Sequence, residues 1–165
     1  MARAFIGIGS NLGDRQQHCA RAQEGLARLP RTTLVRASPF IETDPQEGVA
    51  GGPFLNGVAE IQTELAPHVL LAHLQALEAA TGRATPHPPG SARPIDLDIL
   101  LYGDCLVSSP DLTIPHPRMA ERRFVLEPLV AIAPEVRHPV LQVTAETLLR
   151  RLGATAVVDP EGVAR

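Results

Sequence analysis

The order of strand-like and helix-like segments is the feature that most restricts how this chain can fold. Four segments alternate in polarity or form short apolar runs, as β-strands do, and two have helical periodicity with clear end signals. The predicted strands are residues 5–9, 32–37, 54–63 and 95–102, and the predicted helices are residues 14–29 and 67–81. Their order is β-α-β-β-α-β, so we expect an α+β chain with the topology of a ferredoxin-like sandwich.

The remaining segments are shorter or irregular. A short strand is predicted at residues 106–107, and helices at 125–133 and 145–152 are expected as C-terminal additions. Residues 43–53 and 84–94 are rich in Gly and Pro without periodicity, so both are predicted loops. The segment GIGSNLG at 7–13 is interpreted as a strand-to-helix turn, because its third glycine is one residue late for a dinucleotide fingerprint. We expect one domain over residues 1–165, with a short tail at 153–165 that can fray.

The absence of lysine limits the possible phosphate chemistry. All 15 basic residues are arginine, which excludes a Walker A lysine, a Schiff-base lysine and a kinase-type strand lysine. If the protein handles phosphates, arginine and metal must supply the positive charge, and the arginine fork suits phosphate oxygens. The net charge of −3 argues against general nucleic-acid binding, because such proteins need a basic face.

The cellular location is predicted from patterns that the sequence lacks. No apolar run reaches about 18 residues, and the N-terminus has no basic region before an apolar stretch, so we expect neither a transmembrane helix nor a signal peptide. Cys19 and Cys105 are too far apart for a disulfide framework or a CxxC metal site. We expect two buried, reduced cysteines in a cytoplasmic, monomeric protein that does not bind membranes.

Asp96 and Asp98 are the most informative residues for chemistry. On a strand they share one face with their Cα atoms about 6.6 Å apart, whereas Ile95, Leu97 and Ile99 lie on the opposite face and are predicted core residues. Two adjacent carboxylates on a core strand repel one another and lose solvation unless a cation lies between them. Magnesium takes one or two carboxylates together with substrate phosphates, so a metal site is predicted. The alternative is an edge strand with a solvated polar face.

Several arginines bracket this acidic pair. They are Arg83, Arg93, Arg118, Arg122 and Arg123. The first two flank the Pro-rich loop and could line a lid that closes over polyphosphate, excluding water and placing positive charge where negative charge develops. Each arginine alone could equally be a solvated surface residue. His116 lies between two prolines and could either hydrogen-bond a phosphate or have a structural role.

Four segments together resemble one known family. They are FIGIGSNLGD from Phe5, the stretch from Glu42-Thr43 to Phe54-Leu55-Asn56, residues 74–101, and IPHPRMAERRFVLEPL from Ile114. RPIDLDILLYG and IPHPRM are their most specific parts. In order and spacing the four resemble the 6-hydroxymethyl-7,8-dihydropterin pyrophosphokinase family, and the resemblance extends to about residue 134.

The resemblance implies a reaction of folate biosynthesis. Members of this family transfer the β,γ-pyrophosphoryl group of ATP to the hydroxymethyl group of the dihydropterin and leave AMP. Attack falls on the β-phosphorus, with ATP as co-substrate and two Mg²⁺ ions bridging the triphosphate. The partners implied are therefore small molecules. The proton acceptor for the hydroxymethyl group stays open among Asp98, a metal-bound water and bulk solvent.

The resemblance also assigns roles by position. Asp96 and Asp98 match the metal ligands, and Arg83 and Arg93 match the two catalytic-loop arginines. The positions that match ATP contacts are Gln75, Glu78, Ile99, Thr113, His116 and Arg122. On the pterin side, the matching positions are Thr43 and Asn56 at the polar edge of the ring and Phe54 and Phe124 on its faces.

Some positions depart from the family pattern. Thr85, Pro89 and Gly90 stand where well-studied members carry further basic residues and a tryptophan, and this chain has no tryptophan. Pro117 replaces a tyrosine of some members, and Asp111 replaces an arginine on the adenine side. We expect a working enzyme whose site is less tightly sealed.

Because some positions depart from the family pattern, other classes of protein are alternatives. A catalytically degenerate module could bind pterin or nucleotide without turnover, although binding alone would not need the Asp pair, the arginines and His116. A structural ferredoxin-like interaction domain would bind none of these ligands, and a metal-dependent phosphohydrolase would have little use for the pterin-side residues.

Overall fold

In the part of the chain that the structure describes, the strands form a five-stranded antiparallel sheet and a separate hairpin. The computed structural model describes residues 1–43, 53–81 and 94–157, with side chains as far as residue 153. The main sheet contains β1 (Ala2–Ser10), β2 (Thr32–Ala37), β3 (Ile41–Thr43), β4 (Phe54–Thr63) and β5 (Asp96–Tyr102). Its strand order is β2-β4-β1-β5, with β3 also paired to β4. The hairpin pairs β6 (Val107–Ser109) with β7 (Leu112–Ile114).

Helices cover both faces of the main sheet. They are α1 (Arg15–Ala27), α2 (Pro67–Ala80), α3 (Arg123–Ile132) and α4 (Ala145–Val157), with a 3₁₀ turn at Met119–Glu121. One core cluster joins Ile6, Ile8 and Ile61 of the sheet to Leu26 of α1 and Leu74 of α2. A second cluster, on the opposite face, is formed by Phe5, Val58, Leu100, Leu126 and Leu129, among others. The ferredoxin-like α+β sandwich with additional C-terminal helices is therefore confirmed.

Local sequence signals explain the first two helices. The Asp14 side chain caps α1 by accepting a hydrogen bond from the Gln17 N–H, at 3.1 Å. Gly13, with φ +69°, makes the turn before it. Pro67 begins α2 at a position that needs no backbone donor. The strand-to-helix interpretation of this region is confirmed, although β1 continues as far as Ser10.

Three short or terminal features were not predicted. β3 and β7 have three residues each, and they exist because they pair with β4 and β6, which a short window of sequence does not show. The last helix runs to Val157, past the predicted end at 152, because Gly153 is tolerated inside it. The tail 153–165 was expected to fray; residues 153–157 belong to the helix, and the rest lies outside the described residues.

The cysteines differ from the prediction. Cys19 is buried in the core, as expected, and burial raises the pKa of its thiol to about 12. Cys105 is exposed, so the prediction of two buried cysteines is wrong for this residue. It lies in the turn between β5 and β6. Among the described helices, none is long and apolar enough to span a membrane.

Candidate active site

A cavity of about 580 Å³, a volume that includes space open to solvent, lies where α3 begins, on the face of the sheet that α3 and α4 cover. Strands β1, β4 and β5 form its floor. Its polar and aromatic lining contains Phe54, Asn56, Asp96, Asp98, His116, Arg122 and Phe124. Seven residues singled out from the sequence, from segments far apart in the chain, are thus brought to one place.

Asp96 and Asp98 point to the same side of β5, into this cavity. Both are partly buried, whereas Ile95, Leu97 and Ile99 lie in the core, as predicted. Strand β5 is at the edge of the main sheet, which was the premise of the alternative interpretation. Its polar face is nevertheless not a plain solvated surface, because it forms one wall of a cavity lined by His116 and Arg122.

His116 lines this cavity, and its surroundings favour the neutral imidazole. Burial lowers the pKa of its imidazole below the ordinary value, and the charge of Arg122 lowers this pKa further. The Nδ1 atom accepts a hydrogen bond from the Arg118 N–H at 3.2 Å, so the ring proton belongs on Nε2. The backbone N–H of His116 donates to the Leu100 carbonyl at 2.9 Å, which fixes the segment against β5.

Arg122 lies just before α3 and spans the two sides of the cavity. Its guanidinium carbon is 5.4 Å from the centre of the Phe124 ring, a cation–π distance. Burial lowers the pKa of Arg122, while the carboxylates of Asp98 and Asp96 act in the opposite direction. Its Nε is buried and has no hydrogen-bond partner among the described residues. A buried donor of this kind would be satisfied by an anionic oxygen bound in the cavity.

Asn56 lines the cavity and is joined to Thr43, which is not among the described residues of the lining. The Asn56 Nδ2 donates to the Thr43 Oγ1 at 2.7 Å. This bond leaves the Asn56 Oδ1 as an acceptor and turns the Thr43 hydroxyl proton away from Asn56. The rings of Phe54 and Phe124 also line the cavity, so the polar pair has aromatic neighbours. A planar ligand with a polar edge would fit these groups.

A second cavity adjoins the first and shares Asp98 and His116 with it. It has about 620 Å³ of empty space, and Ile99 and Thr113 line it. Asp111 and Pro117, two of the departures from the family pattern, also lie here. The two cavities therefore meet at the acidic strand.

The remaining predicted site residues have separate outcomes. Glu78 is buried on α2, and its Oε2 accepts a hydrogen bond from the Leu97 N–H at 2.8 Å, which holds β5 between the two aspartates.

Gln75 is exposed on α2 and is not among the described residues that line either cavity. Arg83 and Arg93, with Thr85, Pro89 and Gly90, lie outside the described residues. The roles assigned to all of them stay predictions.

Two residues of this region were missed from the sequence. Gly9 lies in the cavity floor between Asn56 and Asp96 of the neighbouring strands. Arg15 donates to the Pro53 carbonyl at 2.8 Å and to the Glu42 carboxylate at 2.6 Å, so it braces the strands that carry Phe54 and Thr43. The glycine pattern in β1 was the only signal for Gly9, and no local pattern indicates Arg15.

The donor set fits a hard divalent cation. Asp96 and Asp98 supply carboxylate oxygens, which magnesium prefers, and both face the cavity in which Arg122 has an unsatisfied donor. Across the described ranges, no group of three His, Cys, Asp or Glu side chains forms a metal cluster. Magnesium commonly binds through one or two carboxylates and completes its shell with water and phosphate, so a pair suits it.

The fold and the site together define an α+β protein whose cavity combines an acidic pair with a histidine, an arginine and two aromatic rings. The chain belongs to the 7,8-dihydro-6-hydroxymethylpterin-pyrophosphokinase (HPPK) family, whose sequence profile matches residues 5–134.

Curated relatives support this membership. A 2-amino-4-hydroxy-6-hydroxymethyldihydropteridine pyrophosphokinase of Pseudomonas aeruginosa is 44% identical over 138 residues, which is 83% of this chain and 84% of that protein. One of the same name from Methylorubrum extorquens is 40% identical over 165 residues, covering 100% and 99%. The folic acid synthesis protein fol1 of Schizosaccharomyces pombe is 37% identical over 93% of this chain, which spans only 21% of that protein.

Solved structures agree in fold. An HPPK-DHPS of Plasmodium falciparum superposes with a TM-score of 0.78 at 14% identity, covering 99% of this chain and 46% of that chain. Another HPPK-DHPS gives a TM-score of 0.75 at 12% identity, covering 99% and 45%. The present chain thus spans about half the length of these proteins, and the likeness concerns the fold.

Proposed function

We propose that this chain transfers the pyrophosphoryl group of ATP to 6-hydroxymethyl-7,8-dihydropterin in folate biosynthesis, with magnesium held by Asp96 and Asp98. The observation that carries the proposal is the single cavity in which this acidic pair meets His116, Arg122 and an aromatic slot. Family membership points to the reaction, and the cavity contains groups that the reaction requires.

The pterin would lie in the slot between Phe54 and Phe124. Its lactam edge has an N–H donor beside a carbonyl acceptor, and the Asn56 Oδ1 with the Thr43 hydroxyl offers the complementary acceptor and donor. Such a pair would disfavour a ring in which an amino group replaces the carbonyl, because two donors would then meet. The hydroxymethyl group would extend toward Asp96 and Asp98.

The triphosphate of ATP would cross the acidic strand, with the nucleoside in the second cavity beside Ile99 and Thr113. The hydroxymethyl oxygen would attack the β-phosphorus as the bond from that phosphorus to the α,β-bridging oxygen breaks. AMP would leave with that oxygen, and the hydroxymethyl proton would pass to Asp98 or to solvent water. Two bound magnesium ions supply neutralisation of the phosphate charge. The Arg122 Nε–H and the His116 Nε2–H would donate to phosphate oxygens as charge develops on them. Arg83 and Arg93 would add positive charge from the loop.

The first test is AMP formation from ATP and the hydroxymethyl dihydropterin in the presence of magnesium. The wild-type chain should form AMP, and Asp96→Asn and Asp98→Asn should each reduce kcat by about 100-fold or more, since charge stabilisation in the transition state is lost. Asp104→Asn is the matched control, because Asp104 is an exposed aspartate just beyond β5 and should keep full activity.

Calorimetry on the same proteins separates the alternatives. Binding of ATP and pterin by the wild type without AMP formation would favour the degenerate binding module and overturn the enzymatic proposal. Full activity of both aspartate variants would overturn the assignment of the metal ligands.

A further inference from the structure

Gly9 occupies the centre of the cavity floor. In the sheet it is paired with Asn56 of β4 on one side and with Asp96 of β5 on the other. A Cβ atom built on Gly9 would lie 2.9 Å from the Asn56 Oδ1 and 3.6 Å from the Phe54 Cδ2. The first distance is shorter than real Cβ contacts allow, so Asn56 would have to move if position 9 had a side chain.

Asn56 has little freedom to move. Its side chain is tied to the Thr43 Oγ1 by the 2.7 Å hydrogen bond from Nδ2, and the residue is only 7% exposed. Moving Oδ1 away from a Cβ at position 9 would therefore strain or break the bond to Thr43. The same movement would displace the acceptor that faces the slot.

The backbone at position 9 does not itself require glycine. Among the described glycines, positive φ angles occur at Gly13 and Gly103, and Gly9 lies in regular antiparallel pairing. Any residue could adopt this extended conformation, so the reason for glycine here is space. Gly7, which also lines the cavity, gives the comparison: the atoms nearest to a Cβ there belong to the Leu100 side chain, the first at 3.4 Å, where ordinary van der Waals contact begins.

We propose that Gly9 is a positioning residue for the pterin, because its missing side chain lets Asn56 hold its carboxamide toward the polar edge of the ring. The inference rests on the proposed function and concerns a residue to which no role was assigned from the sequence. Gly9 acts through Asn56, whose side-chain position it permits. A methyl group at this position should weaken pterin binding while leaving nucleotide binding intact.

The test compares Gly9→Ala with Gly7→Ala in calorimetry on the full chain. The pterin is titrated in the presence of magnesium and the α,β-methylene analogue of ATP, and the analogue is titrated alone. Gly9→Ala should raise the pterin Kd about tenfold, the size expected when one hydrogen bond to the ring is lost. Its analogue Kd should stay within about twofold of wild type, and Gly7→Ala should leave both constants within that range.

A double variant decides whether the effect passes through Asn56. In an Asn56→Ala background the clash is gone, so adding Gly9→Ala should change the pterin Kd by less than about twofold. A further tenfold loss there would overturn the inference. So would an unchanged pterin Kd in Gly9→Ala, or an equal loss of pterin and analogue binding with a lowered Tm. Failure of the wild type to bind the pterin would overturn the proposed function as well.

Discussion

The Arg122 side chain has three different surroundings along its length. It has an aromatic ring beside its guanidinium, two carboxylates within electrostatic range, and a buried Nε with no partner among the described residues. Burying a charged donor without a partner is unfavourable, so such an arrangement is typical of a site whose ligand completes it. Arginine suits the position because its fork can contact phosphate while its plane stacks on Phe124.

Arg122→Ala should lower kcat/KM for pyrophosphoryl transfer by about 100-fold, the usual loss when one donor to a charged transition state is removed. Arg122→Lys should recover part of this loss, since it restores the charge but not the fork. The neighbouring Arg123 forms an ion pair with Glu127 on the surface of α3, so Arg123→Ala is the control and should stay near wild type. Steady-state AMP formation measures all three, and equal activity of Arg122→Ala and Arg123→Ala would contradict the role given to Arg122.

Among the elements, the β3–β4 pair carries Thr43, Phe54 and Asn56, the residues to which we assign the pterin in our proposal. β3 has only three residues and pairs with β4 through Thr43 and Phe54 at one end. Arg15, at the start of α1, joins the two strands by its bonds to Glu42 and to the Pro53 carbonyl. A short edge strand depends on such side-chain braces, because its own ladder is small.

Arg15→Ala should therefore raise the KM for the pterin by about three- to tenfold with little change in Tm, since partly exposed ion pairs contribute at most about 1 kcal/mol. The KM for ATP should not change, because the second cavity lies at β5 and β7. Arg21→Ala, on the exposed side of the same helix, is the control. A large fall in Tm, or equal changes in both KM values, would show that Arg15 supports the fold generally and not the β3–β4 pair.

Elements whose pattern lies within a short stretch of sequence could be predicted. Elements that exist only because one strand pairs with another could not. β5 is predicted by the alternation from Ile95 to Ile99, and α2 is predicted by Pro67 in its first turn and Gly82 after its end. β3 has no such pattern and exists only opposite residues 54–56. The same distinction applies to the site. The alternation within β5 predicts that Asp96 and Asp98 share one face of the strand, whereas the hydrogen bond from Asn56 to Thr43 depends on tertiary contacts.

At the scale of the whole molecule, the active site depends on what is added to the ferredoxin-like sandwich. The sandwich buries one face of the sheet under α1 and α2, and the cavity lies on the other face, beside α3. Three residues of its lining come from this region: His116 and Arg122 precede α3, and Phe124 is in its first turn. Sequence periodicity predicted these helices but not which face they cover, because that depends on packing between distant segments.

The segment that connects α3 to α4 should make the whole fold sensitive to acid through His138. This residue is 8% exposed, and its Nδ1 accepts hydrogen bonds from the Val140 and Leu141 N–H groups at 3.2 and 3.1 Å. Burial lowers the pKa of His138 below its ordinary value. Protonation of Nδ1 would remove both bonds, so the neutral form is the one that fits the fold.

The sign of the pH dependence follows from that shift. As the pH falls through the ordinary histidine pKa of about 6.5, the unfolded chain takes up the proton first, so the free energy of unfolding is intact above this pH and decreases below it. One such group contributes at most about 1.4 kcal/mol per pH unit. His116, whose pKa is also lowered, acts in the same direction. Carboxylates with lowered pKa values, such as Asp111 and Glu135, contribute only at lower pH.

Urea unfolding at pH 7.5, 6.5 and 5.5 would measure this slope. His138→Asn should reduce it, because the asparagine oxygen can accept the same backbone hydrogen bonds and has no proton to gain in this range. His73→Asn, on α2, is the matched control and should keep the wild-type slope. Equal slopes in the wild type and His138→Asn would mean that the connection between α3 and α4 tolerates a charged imidazole, and that the acid sensitivity of the fold arises elsewhere.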